Sequence, residues 1–420
     1  MKREKTVKRG RLSRNLFYFG LFFISLVLSV LWLWKLWSRV PSDIRVRAGK
    51  EEGINFSIPA TATIYQEGSE PLLNVKLNQE LTFYGEVEGN YTMKVQLFGF
   101  IPFKEASLSV IRDTRLIPVG TPIGIYVHTR GVLVVDTGEF EDEKGKESAP
   151  AKGILKAGDY IRTINGNSLE DKKQLMETIS RCEGEGLELE IERNHKIIPV
   201  EVIPKADRQG EYKLGIWVRD NAQGIGTLTF VNEEGYFGAL GHGINDVDTA
   251  SLMELEKGGL YKTEIISINK GTPGKPGEFS GIIAYSDKNR LGEILKNSYR
   301  GIYGIVETQN LDLKQQAMPI ALKQEIKEGR AQILCTLSDT PRWYDIEIVR
   351  INAENSQINR GMELKVTDEE LLKATGGIIQ GMSGSPIVQD GKLVGAVTHV
   401  MVNDPTRGYG IFIEEMLGNS

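Results

Sequence analysis

Cysteine is almost absent from this chain: Cys182 and Cys335 are the only two in 420 residues. Neither lies in a CxxC or other metal-ligand spacing, and they fall in segments that read as separate domains. No metal site and no disulfide scaffold is therefore expected, and stability has to come from packed cores. Proline is modest, 15 against 46 glycines, which favours strands joined by tight turns over long helices. A basic face is missing as well. The net charge of −5 is unevenly spread, because the first 14 residues carry seven Lys or Arg and one Glu, leaving about −11 for the rest. An acidic body does not suit phosphate contacts, so nucleic acid is not an expected partner. What remains is a globular composition, 40% hydrophobic and 25% charged, with length for two or three domains.

The basic start has another use. Residues 15–34, NLFYFGLFFISLVLSVLWLW, carry no charge, and about 20 apolar residues are needed for a helix to cross a bilayer. Lys2, Arg3, Lys5, Lys8, Arg9, Arg11 and Arg14 precede the run, and Trp32, Trp34 and Trp37 end it. That order predicts a cytoplasmic basic segment over 1–14, a membrane anchor over 15–37, and all later domains outside. A cleaved signal peptide would have a shorter apolar core and a small-residue cleavage site, and LWKLWSRVP has none.

Residues 41–117 alternate in strand-like runs such as INFSI and YTMKVQLFGFIPF and predict a small β domain without recognisable chemistry. Residues 118–204 combine PVGTPIGIYVHTRG, an acidic loop, and LKAGDYIRTINGNSLEDKKQLMETIS. This pattern resembles a PDZ domain, a module that binds an extended peptide by adding it to a strand edge. On that resemblance Ile123, Gly124 and Ile125 stand where the carboxylate-binding loop is expected. His128 and His195 read as ordinary polar strand and turn residues.

From 205 to 420 the chain reads as one β-rich unit with two chemical motifs. In ALGHGIND, His242 lies between glycines at a strand end, where an imidazole is free of neighbouring bulk. In GMSGSPIVQDGKLVGAVTHVMVNDP the GxSGxP form resembles the nucleophile segment of chymotrypsin-like serine proteases. Ser383 is then the nucleophile, with Ser385 as its competitor. The Gly381 and Ser383 N–H groups would form an oxyanion hole, because attack on a carbonyl creates a negative oxygen that needs two donors. Asp246 and Asp248 follow His242 closely but read as a turn and helix-start cluster. His399 reads as solvent-facing. The stretch Gly376-Gly377-Ile378, just before the nucleophile, has no carboxylate, so a trypsin-like demand for Lys or Arg is not supported.

The two motifs, behind an anchor and a PDZ-like segment, resemble the stage IV sporulation protein B peptidase family over nearly the whole chain. The resemblance implies His242 as base, Ser383 as nucleophile, Asp368 in KVTDEELL as the acidic member, and Thr398 as a supporting residue. It also implies a signalling endopeptidase in the forespore inner membrane, with its domains facing the intermembrane space and released after self-cleavage. The implied substrates are the chain itself and a regulator of an intramembrane metalloprotease that activates pro-sigma-K. Self-cleavage would fall in 41–75, where SDIRVRAGKEEG and TATIYQEGSEP look mobile. The fold class expected is mainly β: a transmembrane helix, a small β domain, a PDZ domain and a chymotrypsin-like double β-barrel, with no cofactor and no metal. The alternative is a non-catalytic PDZ scaffold with a protease-like domain. A periplasmic quality-control protease would place its PDZ domain after the catalytic one.

Overall fold

The computed structural model describes residues 2–66, 70–352 and 357–418, with the side chains of 2–17 and 358 outside the described set. The chain divides into two compact units, Met1–Thr114 and Arg115–Ser420.

The first unit opens with the helix Lys2–Ser38. Its stretch Tyr18–Ser38 has a mean hydropathy of 2.0 and is long enough to cross a membrane. Phe19, Phe22 and Phe23 stand exposed on it, an arrangement favourable in lipid and unfavourable in water. The basic side chains Lys2 to Arg14, expected to orient it, lie outside the described residues. At the helix end, Leu36 and Val40 are buried, Trp37 meets Phe103 edge-on at 5.3 Å, and the Lys104 ammonium donates to the Val40 carbonyl at 2.6 Å. A five-stranded sheet follows, ordered Asp43–Arg47, Ile101–Ile111, Gly89–Leu97, Ala60–Gln66 and Pro71–Lys76, and a separate hairpin pairs Glu51–Asn55 with Glu80–Tyr84. The 41–75 segment is thus largely ordered strand. Asp43–Arg47 lies parallel and in register with Ser107–Ile111, burying Ile44 and Val46. Residues 67–69 of the expected mobile stretch lie outside the described residues.

The second unit contains two six-stranded barrels and an inserted module. In the first barrel, Pro122–Thr137 pairs with Leu255–Asn269, then come Arg290–Ser298, Gly301–Val306, Tyr236–Ala239 and Ile216–Val231, which returns to Pro122–Thr137 and closes the ring. Alternating apolar residues, among them Ile123, Val127, Leu228, Phe237 and Ile302, fill it. The second barrel closes through Gly329–Cys335, Arg342–Ile351, Met362–Val366, Asp404–Phe412, Lys392–Met401 and Pro386–Gln389. A shared cluster containing Phe230, Tyr303, Leu393 and Ile411 joins the two. This is the double-barrel architecture expected from the sequence.

Two boundaries differ from expectation. No break occurs near residue 204, because Pro122–Thr137 and Ile216–Val231 each run through both the barrel and the PDZ-like module. Their barrel halves pair over Pro122–His128 and Asn221–Thr227, and their outer halves over Leu133–Thr137 and Ile216–Arg219. The module is therefore an insertion into a barrel hairpin. It has its own core, including Val132, Val134, Ile161, Leu175, Leu189 and Leu214, and one helix, Lys172–Ser180, capped by the Asp171 side chain. An insertion of this kind hides from a linear reading, since both flanks are strand.

Candidate active site

Strand Tyr236–Ala239 ends in a turn where Leu240 and Gly241 both have φ of 69°. That region is strained for leucine. It is held because the Leu240 N–H donates to the Thr227 carbonyl at 3.2 Å. The turn presents His242, half-buried, to a cleft of about 290 Å³. Its Nδ1 is 2.8 Å from the Gly243 carbonyl oxygen. A carbonyl can only accept, so Nδ1 carries the proton and Nε2 is left as the basic nitrogen. Burial pushes the His242 pKa below its ordinary value, against a smaller upward pull from the Gly243 bond. The imidazole is therefore neutral at neutral pH, as a general base must be.

The Ser383 loop is pinned from both barrels. Within the second barrel, the Gly384 N–H donates to the Val397 carbonyl at 2.7 Å and the Ser385 N–H to the Met382 carbonyl at 2.9 Å. From the first barrel, the Thr227 N–H donates to the Ser383 carbonyl at 3.0 Å, and Thr227 Oγ1 to the Gly381 carbonyl at 2.7 Å. The approach is close enough that a Cβ on Gly384, whose φ is +99°, would lie 2.1 Å from the Thr227 oxygen; only glycine fits. Gly381 and Ser383 line the same cleft as His242. Among the described residues, neither of their N–H groups has an acceptor, as required of donors kept for an oxyanion. The Ser383 hydroxyl donates to the Thr398 carbonyl at 2.6 Å, and Thr398, buried, donates its own hydroxyl to the Asn359 carbonyl at 2.6 Å. Thr398 thus meets Ser383 through its backbone. Ser385 is fully buried and does not compete.

The structure does not bring Asp368 to His242. Its carboxylate caps the helix Glu369–Thr375, accepting from the Leu371 N–H at 2.9 Å and from the Asp345 N–H at 3.3 Å. Beside the imidazole Nδ1 stands the Gly243 carbonyl instead. Asp246 and Asp248 form the expected turn cluster, closed by ion pairs to Arg219. His399 is exposed but also packs against His242, ring centroids 5.1 Å apart and planes tilted by 40°. Desolvation, then the neighbouring His242 and Arg360, push its pKa down to about 4.

The expected carboxylate-binding loop is also misplaced. Ile123, Gly124 and Ile125 are paired on both edges, to Gly226, Ile225 and Gly224 on one side and to Lys262, Tyr261 and Leu260 on the other. Ile123 and Ile125 are buried in the barrel core, so no edge is open to a peptide. His128 packs edge-on against Tyr126, and His195 is exposed. The module's groove lies elsewhere. A mainly apolar cavity of about 630 Å³ runs between Leu175, Met176 and Ile179 of the helix and Leu214, Ile216 and Val218 of the facing segment. Among the described residues the Leu214 and Gly215 N–H groups have no acceptor. The signal was present in KLGIWV, which has the same apolar-Gly-apolar form as PIGI. Position in the chain made the first copy look correct, and insertion reverses the order.

Residues 210–417 match the family described as SpoIVB peptidase S55. Among solved structures, the PDZ domain of an SdrC-like protein from Listeria monocytogenes is 22% identical, covering 21% of this chain and 87% of that one, with a TM-score of 0.18. The Rv3671c protease in its inactive form is 13% identical over 46% of this chain and 81% of that one, TM-score 0.26. The HtrA-type protease AlgW with a decapeptide is 12% identical over 47% and 52%, TM-score 0.27. Through residues 210–417, which carry both His242 and Ser383, this chain belongs to the SpoIVB peptidase S55 family and is a serine peptidase.

Proposed function

We propose that the chain is a membrane-anchored signalling endopeptidase that cleaves itself and a regulator of an intramembrane metalloprotease, switching on pro-sigma-K processing during sporulation. Family membership supports the biological setting, and the apolar helix supports anchoring in the forespore inner membrane with the later domains facing the intermembrane space. The observation that carries the chemistry is one cleft lined by His242, Ser383 and Gly381, with two amides that have no acceptor among the described residues.

In the proposed reaction Ser383 rotates from the Thr398 carbonyl toward His242 Nε2, which takes its proton as the hydroxyl oxygen attacks the peptide carbonyl. The Gly381 and Ser383 amides hold the resulting oxyanion. His242 returns the proton to the leaving amine, and water releases the acyl group. The Gly243 carbonyl keeps the imidazole in the right tautomer, a task Asp368 performs only if the site rearranges. The groove beside Leu214–Ile216 takes an extended peptide.

The test is fluorophosphonate labelling of the full chain in detergent, with N-terminal sequencing of its fragments, for wild type beside Ser383→Ala. Labelling and N-terminal processing should occur in the wild type and vanish in the variant. A wild type that takes no label at neutral pH overturns the proposal.

A further inference from the structure

The strand Ile216–Val231 serves both sites. One edge pairs with Pro122–Thr137 from Ile216 to Thr227. Among the described residues, no other strand pairs with its opposite edge between Ile216 and Gly226. At its inner end this free edge faces the nucleophile: the Thr227 N–H donates to the Ser383 carbonyl, and the Thr227 carbonyl accepts from Leu240. A strand's backbone groups alternate in direction, so Ile225 and Gln223 present theirs to the same side, and both line the catalytic cleft. At its outer end, Ile216 and Val218 line the peptide groove, next to the Leu214 and Gly215 amides. Between the two stretches, Arg219 reaches from the strand to Asp246 and Asp248. The Asp246 side chain is fully buried, so this bridge stays closed. Strand side chains leave across the faces of a sheet and not along its edge, so the backbone edge beside Arg219 remains the track.

We infer that a substrate chain other than the enzyme's own occupies cleft and groove together, so that such a chain is cut at a set distance from its free carboxyl terminus, whereas self-cleavage uses the cleft alone. The inference rests on the peptidase reading above. Direction decides which part of the substrate lies where. An extended chain running antiparallel to the free edge travels from Ser383 toward Ile216, and its carboxyl terminus arrives at the Leu214 and Gly215 amides. The residues after the scissile bond therefore fill the track, and the acyl part remains beyond Ser383. The reverse direction would bring an ammonium group to those N–H donors, which repel it. Ile216 to Thr227 spans roughly 35 Å at the rise of an extended strand. The register shifts at Trp217/Val218 and Arg219/Asn221 place their extra residues in the partner strand Pro122–Thr137, so the free edge keeps its full length. A paired chain thus bridges the two sites with about ten to twelve residues. The ligand is an unfolded segment with an apolar carboxyl-terminal residue, and the groove supplies a ruler.

A repetitive, unstructured peptide of about thirty residues, in which every repeat is chemically equivalent, separates distance from sequence preference. It is digested with the full chain in detergent and the products are sized by mass spectrometry. Carboxyl-terminal fragments of about ten to twelve residues should dominate. Adding one repeat at the carboxyl end should move the cut by one repeat, and amidating the terminus should slow cleavage roughly tenfold, because charged hydrogen bonds are lost. Cutting whose position ignores the carboxyl terminus, or is unaffected by amidation, overturns the ruler while leaving the peptidase reading intact. No Ser383-dependent cutting, with no fluorophosphonate labelling, overturns both.

Discussion

The Ser383 hydroxyl donates to the Thr398 carbonyl at 2.6 Å, so the proposed nucleophile rests on the backbone of a neighbouring strand and not on His242, its proposed base. Thr398 is held in turn by its hydroxyl bond to Asn359. Thr398→Val keeps the shape but leaves the half-buried Asn359 without that donor to its carbonyl. We expect a stability loss of about 1 kcal/mol, a slower fluorophosphonate reaction, and rescue of both by Thr398→Ser. Thermal unfolding and labelling rates decide it. Wild-type values in Thr398→Val would show that the anchor is dispensable.

Asp368 offers a sharper contrast, because capping and catalysis make different demands. As a helix cap it should tolerate Asp368→Asn, since asparagine caps equally well, while Asp368→Ala should lose about 1 kcal/mol. Labelling by Ser383 should follow stability in both variants. A collapse of labelling in Asp368→Asn with unchanged unfolding temperature would instead assign the carboxylate to catalysis in a rearranged site.

The pH dependence follows from two histidines whose values burial depresses. A group with a lowered folded pKa binds fewer protons folded than unfolded, so stability rises with pH. For His399 that contribution is present above its ordinary value near 6.5 and is lost as the pH falls through about 4. For His242, also depressed, the acidic limb of kcat/KM should lie below 6.5, the ordinary value for the imidazole. A limb at or above that value would mean that a carboxylate does approach the imidazole in the working enzyme.

Gly384→Ala tests the contact between the barrels. The added carbon would lie 2.1 Å from the Thr227 oxygen, and backbone cannot yield cheaply. Loss of roughly 2–3 kcal/mol of stability is expected, together with loss of labelling, because the Thr227 bonds that seat Ser383 and Gly381 must lengthen. Gly391→Ala, at an open hairpin turn with φ of +75°, serves as the control for backbone strain alone and should keep its labelling.

What could be read from the sequence was local. A charge-free run of some twenty apolar residues is long enough to cross a membrane wherever it occurs, alternating apolar residues make strands, and GMSGSP needs its glycines because each takes a positive φ beside Ser383. These features are set by near neighbours in the chain, and they were enough to point to Ser383 and His242. The partner of the imidazole, the position of the module's apolar groove and the insertion of the module into a barrel hairpin were decided only in three dimensions. Each depends on which strand lies beside which, and PIGI and LGIW are interchangeable until pairing buries one on both edges and leaves the other open. Asp368 makes the same point, because a carboxylate ahead of a helix suits a cap and a triad equally well. Only its bonds to the Leu371 and Asp345 N–H groups, formed in the folded chain, assign it to the helix.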